Sequence, residues 1–154
     1  MAGNSTAKKP TTAEATNMPQ RSFIDTNILV YAQSPDEPTK QRQALDLLRE
    51  LHKTATGVIS TQVLQEFANI SIKKLGLPAQ NVREQLLFWE RFEVVQITPT
   101  IIHTALDIHQ TRRFCFYDSL IRASAQIANC AVLFSEDMNA GEVLGGVKLV
   151  NPFD

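Results

Sequence analysis

Polar and apolar positions change period repeatedly from residue 21 onward. Short β-branched or apolar runs alternate with longer segments that repeat near 3.6, a pattern that predicts an α/β chain closing into a mostly parallel central sheet. Ser22 to Ile24 reads as the first strand, with Asp25, Thr26 and Asn27 at its carboxyl end. A short helix through Leu29, Val30 and Tyr31 follows and is broken at Ser34 and Pro35. Asp36 is placed to cap a second helix, whose Ala44, Leu45, Leu47, Leu48 and Leu51 form one apolar face. Gly57 to Ser60 makes the next strand. A third helix opening at Thr61 or Gln62 carries Val63, Leu64, Phe67 and Ile70 inward and ends near Gly76 and Pro78.

A fourth helix runs through Leu86, Leu87 and Phe88, Phe92 to Ile97 reads as a strand, and Thr98 with Pro99 starts another helix. Phe116 and Tyr117 lead into one more, running to about Asn129. Ala131 to Phe134 is then a buried strand, Ser135 to Gly141 a loop, and Val147 to Val150 a last short strand before Pro152. No repeat or linker interrupts residues 21–154, so they are expected to form one domain, in keeping with a chain of 154 residues. Residues 1–20, rich in Thr, Ala, Asn and Lys, have no apolar stretch of the secretory type and read as a disordered tail or leader. A start at Met18 fits the pattern as well as a start at Met1.

Composition narrows this only a little. Hydrophobic residues at 44% and charged residues at 20% are the balance of a soluble globular protein. A formal charge of -1 offers nucleic acid no large positive field, an objection that weakens if part of the acidic complement is clustered around bound cations. Cys115 and Cys130 match neither a disulfide framework nor a zinc spacing and read as thiols of a cytoplasmic protein. No apolar run approaches the roughly 20 residues of a membrane-spanning helix.

The chemistry lies in the acids. Ligands of an open parallel sheet gather beyond the carboxyl ends of its strands, near the point where strand order reverses. Asp25 directly follows the first strand and Asp137 stands shortly after the strand ending at Phe134, so neighbouring strands, ~4.8 Å apart, would let both share one ion. Glu66 and Asp118 belong to early turns of helices that begin where the chain leaves the sheet, and can face the same opening. Carboxylates ~5 Å apart repel by roughly 3 kcal/mol per pair at an effective dielectric near 20, so such a group asks for a cation or for protonation. Hard oxygen donors suit Mg²⁺ or Mn²⁺, which keep several waters and accept phosphate oxygens. Taken singly, Asp25 could be a cap, Asp118 a cap or a partner of Arg122, Glu66 a solvated helix residue, and Glu136 competes with Asp137.

At these residues the sequence resembles a PIN domain and, within that superfamily, the VapC-like toxins. The resemblance rests on FIDTNILVYA at 23–32, STQVLQEFANI at 60–70, FYDSLIRASAQIANC at 116–130 and LFSEDMNAG at 133–141. It implies a three-layer α/β/α sandwich, a Mg²⁺ or Mn²⁺ site at Asp25, Glu66, Asp118 and Asp137, and endonucleolytic cleavage of RNA. It further implies that Thr26 and Asn27 orient the first aspartate, that Ser135 lies beside the site, that the chain forms a homodimer, and that a VapB-like antitoxin is its partner. The extension before residue 21 departs from the usual toxin.

Arg112 and Arg113 are candidates to contact RNA or an antitoxin, against an exposed pair ending a helix, and Arg122 to contact RNA or neutralise Asp118. Lys73 and Lys74 read as a solvated helix end, and His52, His103 and His109 share no metal spacing. Trp89 reads as packing rather than a base-stacking platform. The run Gly141 to Lys148 lacks the Ser or Thr and the preceding strand that a phosphate loop needs. An aspartyl phosphatase would want a second aspartate where Asn27 stands. A housekeeping nuclease of the same fold, and a PIN-like module that binds RNA or protein without chemistry, are the remaining alternatives.

Overall fold

The computed structural model describes residues 20–154. The expected leader therefore lies, apart from Gln20, outside the described residues. Six strands form one sheet in the order β3-β2-β1-β4-β6-β5, with β1 Ser22–Ile24, β2 Gly57–Ser60, β3 Glu93–Val95, β4 Val132–Phe134, β5 Val143–Leu144 and β6 Val147–Val150. All pairings are parallel except the antiparallel β5–β6 hairpin. Among the described residues six helices surround the sheet: α1 Thr26–Tyr31, α2 Pro38–Lys53, α3 Thr61–Lys73, α4 Ala79–Trp89, α5 Pro99–Arg112 and α6 Phe116–Ile127. None is long and apolar enough to cross a membrane.

Every residue of β1 and β2 is buried, as continuous apolar strands must be when helices cover both faces of a parallel sheet. The main core joins Phe23, Ile24, Val58, Ile59 and Leu133 of the sheet to Ile28, Leu29, Leu48, Val63 and Phe67 of the helices. Trp89 is 3% exposed within it, as the packing expectation held. A second cluster of Ile101, Ala105, Ile108, Leu120 and Ala123 seals α5 to α6. Gly57 opens β2 where a Cβ would stand 2.6 Å from the Phe92 ring, so only glycine lets that ring close the end of the core.

Local chemistry sets the helix starts. Ser60 caps α3 by accepting from Val63 N, and Thr98 caps α5 by accepting from Ile101 N ahead of Pro99. Asp36 does not cap α2. Glu37 occupies the cap position without a side-chain bond, because Pro38 at the first helical position fixes where the helix begins. The expected strand Phe92 to Ile97 narrows to Glu93–Val95, since this edge strand pairs only with the short β2. The β5–β6 hairpin was not foreseen. Gly145 and Gly146, at φ 57° and 79°, make its turn.

Arg122 is a correction. It is buried at 5% exposure, its guanidinium lies 4.0 Å from the Phe114 ring centroid, and its Nη2 donates to Glu142 Oε2 at 3.1 Å. It thus neither pairs with Asp118 nor offers itself to RNA, but ties α6 to the segment that leads into β5. Its Nε has no partner among the described residues, so Glu142 is its one carboxylate contact. Glu142→Ala would leave a buried guanidinium uncompensated and is expected to lower unfolding free energy by about 3 kcal/mol, measured by urea titration. An unchanged midpoint would mean the pair contributes nothing.

Candidate metal centre

The chain leaves β1 toward β2 on one side, while β4 lies on the other, so the sheet's order reverses beside β1. Ile24 pairs with Phe134 at the carboxyl ends of these strands, and Asp25 N donates to Phe134 O at 3.0 Å. That register places Asp25 against Ser135. The Ser135 hydroxyl donates to Asp25 Oδ2 at 2.7 Å, and Thr26 N donates to Oδ1 at 2.7 Å. Asp25 is therefore both the cap of α1 and a carboxylate fixed at both oxygens.

Glu66 sits in the second turn of α3, where its Oε2 accepts from Thr26 Oγ1 at 2.6 Å and its Oε1 from Gln62 Nε2 at 2.8 Å. Asp137 lies in the loop after β4, with Oδ2 accepting from Asn27 Nδ2 at 2.9 Å and its own amide donating to Ser135 Oγ at 3.3 Å. Asp118 occupies the first turn of α6, near the positive end of that helix's dipole. No group among the described residues hydrogen-bonds its carboxylate. All four acids line one cavity of about 350 Å³, together with Thr26, Asn27, Val30, Tyr31, Ile70, Lys74, Tyr117, Ile121 and Glu136.

Thr26 and Ser135 stand where the resemblance put them, in contact with Asp25, whereas Asn27 does not touch that aspartate. Thr26 meets Asp25 through its amide but spends its hydroxyl on Glu66, and Asn27 reaches Asp137 rather than Asp25. Ser135 is fully buried and bridges both ends of the site. Glu136 lines the same cavity yet is claimed by Lys40, which forms an ion pair with it and lies 4.8 Å from the Tyr31 ring centroid. Burial opposes ionisation of Glu136, but bonds from Lys40 and Tyr31 outweigh it and hold its carboxyl below the ordinary value. Arg112 and Arg113 are exposed at the end of α5 and do not line the cavity.

Sequence reasoning passed over Gln62 and Tyr117 as site residues and read Lys74 as a solvated helix end; it is exposed at that helix end and also lines the cavity. Gln62, Glu66, Ile70 and Lys74 recur every four residues and so share one stripe of α3, continued into its C-cap. That spacing was the available signal.

The donor set fits a hard divalent cation in chemistry: four carboxylates, no thiolate and no imidazole. Among the described residues, however, no three His, Cys, Asp or Glu side chains stand close enough to form a ready-made cage. Unscreened carboxylates repel, and three of these four are held instead by neutral donors. An ion here would complete its shell with water and phosphate, as Mg²⁺ commonly does.

Burial pushes the Asp25 carboxyl up to about 6, and the charges of Glu66 and Asp118 add to that rise against the lowering bonds from Ser135 and Thr26. Folding thus makes Asp25 harder to ionise than it is in the unfolded chain. Its contribution to stability is present below pH 4 and lost as pH rises through about 6, a penalty of about 3 kcal/mol. With a chelator present, Asp25→Asn is expected to match the parent's stability near pH 4 and to exceed it increasingly toward pH 7. Thermal melts across that range would show it, and a constant difference would exclude the burial penalty.

The PIN domain family model matches residues 22–143. No curated protein matches the chain in sequence. A solved toxin-antitoxin complex from Klebsiella pneumoniae contains a chain of similar fold, at TM-score 0.63 and 24% identity, covering 85% of this chain and 97% of that one. A second, VapBC2 from Rickettsia felis bound to a DNA fragment from their promoter, gives TM-score 0.61 and 22% identity, covering 83% and 96%. At these identities the likeness is one of fold.

Proposed function

We propose, because this chain belongs to the PIN domain family, that it is a divalent-metal-dependent RNA endonuclease and the toxin of a toxin-antitoxin pair. The observation that carries this reading is the meeting of Asp25, Glu66, Asp118 and Asp137, from four separate segments, on one open cavity at the sheet's switch point. Asp25, Glu66, Asp118 and Asp137 would hold Mg²⁺ or Mn²⁺. Bound there, the ion would supply a Lewis acid that activates water and offsets charge growing on the scissile phosphate.

The chain's own residues prepare the geometry. Ser135 and the Thr26 amide fix both oxygens of Asp25, Thr26 and Gln62 fix Glu66, and Asn27 fixes Asp137. Asp118, free of hydrogen bonds among the described residues, can turn toward whatever enters. Hydrolysis by water would leave a 5′-phosphate and a 3′-hydroxyl and needs no serine or histidine nucleophile.

The toxin assignment draws on the two solved structures of similar fold, one a toxin-antitoxin complex and the other VapBC2, together with the resemblance to VapC-like toxins. A VapB-like antitoxin and a second copy of the chain are the protein partners it brings, with the cytoplasm as the setting. Leu87 and Phe88 on α4 are exposed beside an apolar cavity of about 170 Å³ against α2, which gives a protein partner a foothold.

Cleavage of RNA is expected only with added Mg²⁺ or Mn²⁺ and to stop with chelator. Asp25→Asn and Asp118→Asn, in chains that still fold, should each cut the rate by more than the roughly 10–100-fold cost of an outer-shell change. Unchanged rates would exclude the site. A folded parent that cleaves nothing would favour the non-catalytic binding module.

A further inference from the structure

Two residues on the wall of the acid-lined cavity have side chains that bond none of the proposed ligands. Tyr117 directly precedes Asp118 in α6 and is 63% exposed. Its backbone is not loose, because its carbonyl accepts from Gln62 Nε2 at 3.2 Å, the same amide that bonds Glu66. One part of its ring meets Phe116 edge-on, with centroids 5.4 Å apart. The rest is open. Lys74, the C-cap of α3, lies two turns beyond Glu66 on the same helix stripe. No carboxylate among the described residues comes within ion-pairing distance of it, whereas the other nearby lysine, Lys40, is committed to Glu136.

A cavity with five acids along its wall repels a polyanion except where a cation or a bound ion intervenes. Among the described residues Lys74 is the cation that lines the cavity, and Tyr117 is a broad apolar face set next to a proposed metal ligand. A positive point beside an aromatic platform is how single-stranded nucleic acid is gripped without reading its sequence. Trp89, the other large aromatic of interest, is buried and cannot serve.

We infer that Tyr117 and Lys74 form a nucleotide grip, in which the Tyr117 ring stacks an unpaired RNA base next to the scissile phosphate while Lys74 Nζ binds a flanking phosphate. The site so built takes RNA in loops, bulges or ends, where bases can be splayed, and not the interior of an A-form duplex. This deepens the nuclease reading and rests on it for the identity of the scissile bond.

The test reads binding apart from cleavage. A labelled single-stranded RNA of mixed sequence is titrated, with Mg²⁺ present, against the full chain carrying Asp25→Asn, and dissociation constants are taken from fluorescence anisotropy. Adding Tyr117→Leu should weaken binding about 10-fold, within the range that one stacked base gives, whereas Tyr117→Phe should change it less than about 2-fold. Adding Lys74→Met should reduce the slope of log Kd against log salt by about 0.7, the signature of one lost phosphate contact on a single strand. The same sequence as a duplex should bind more weakly. The grip is overturned if the background chain binds no RNA, if Leu and Phe at position 117 behave alike, if the salt slope is unmoved, or if duplex binds as well as single strand. Cleavage by the unmutated chain is measured separately. Its absence alongside Tyr117-dependent binding would remove the nuclease reading and leave the grip standing.

Discussion

The bond from Asp25 N to Phe134 O, at the carboxyl ends of β1 and β4, joins two stretches of chain more than a hundred residues apart in a fixed register. Everything at the site inherits that register. It sets Ser135 against Asp25, brings Asp137 to Asn27, and leaves both acids at the sheet edge rather than beneath it. A slip of one residue would turn alternate side chains to the opposite face and would take the Ser135 hydroxyl away from Asp25. The deep apolar packing of Phe23, Ile24 and Leu133 prevents the slip, so the core's packing and the site's chemistry are one constraint seen from two sides.

Electrostatics explains why the arrangement is tolerable. Asp25 and Asp118 sit at the amino ends of helices, where backbone amides favour negative charge. Asp25, Glu66 and Asp137 accept hydrogen bonds from neutral donors, which orient them without cancelling their charge. Glu136 is the exception. Its ion pair with Lys40 takes a fifth carboxylate out of the group, so the cavity's remaining negative charge falls on the four acids proposed as ligands.

Much of this was legible in the chain. The short apolar or β-branched runs of β1, β2, β4 and β6 and the 3.6 period of the helices are legible signals because burial imposes them. Asp25 and Asp137 stood out because a strand end is itself visible in sequence. Glu66 was nominated from its early helical turn but was weak taken alone, since a helical glutamate looks solvated until the hydroxyl of Thr26, forty residues away, is seen to meet it. Arg122 was misjudged because helical spacing gives a side chain's angular position but not what the rest of the fold packs over it, here Phe114 and Glu142. The β5–β6 hairpin escaped notice because two residues cannot display a period, and Asp36 lost its capping role to the backbone restraint of Pro38.

The span from residue 25 to residue 137 has an implication for synthesis. A loop of 110 residues must close before the Ser135 hydroxyl meets Asp25, and β4 must itself be flanked by the later strand β6. A nascent polypeptide that has not yet extruded β4 therefore carries the acids as scattered beads along an open chain. Whatever chemistry they perform waits until β4 and β6 have left the ribosomal tunnel and folded onto β1.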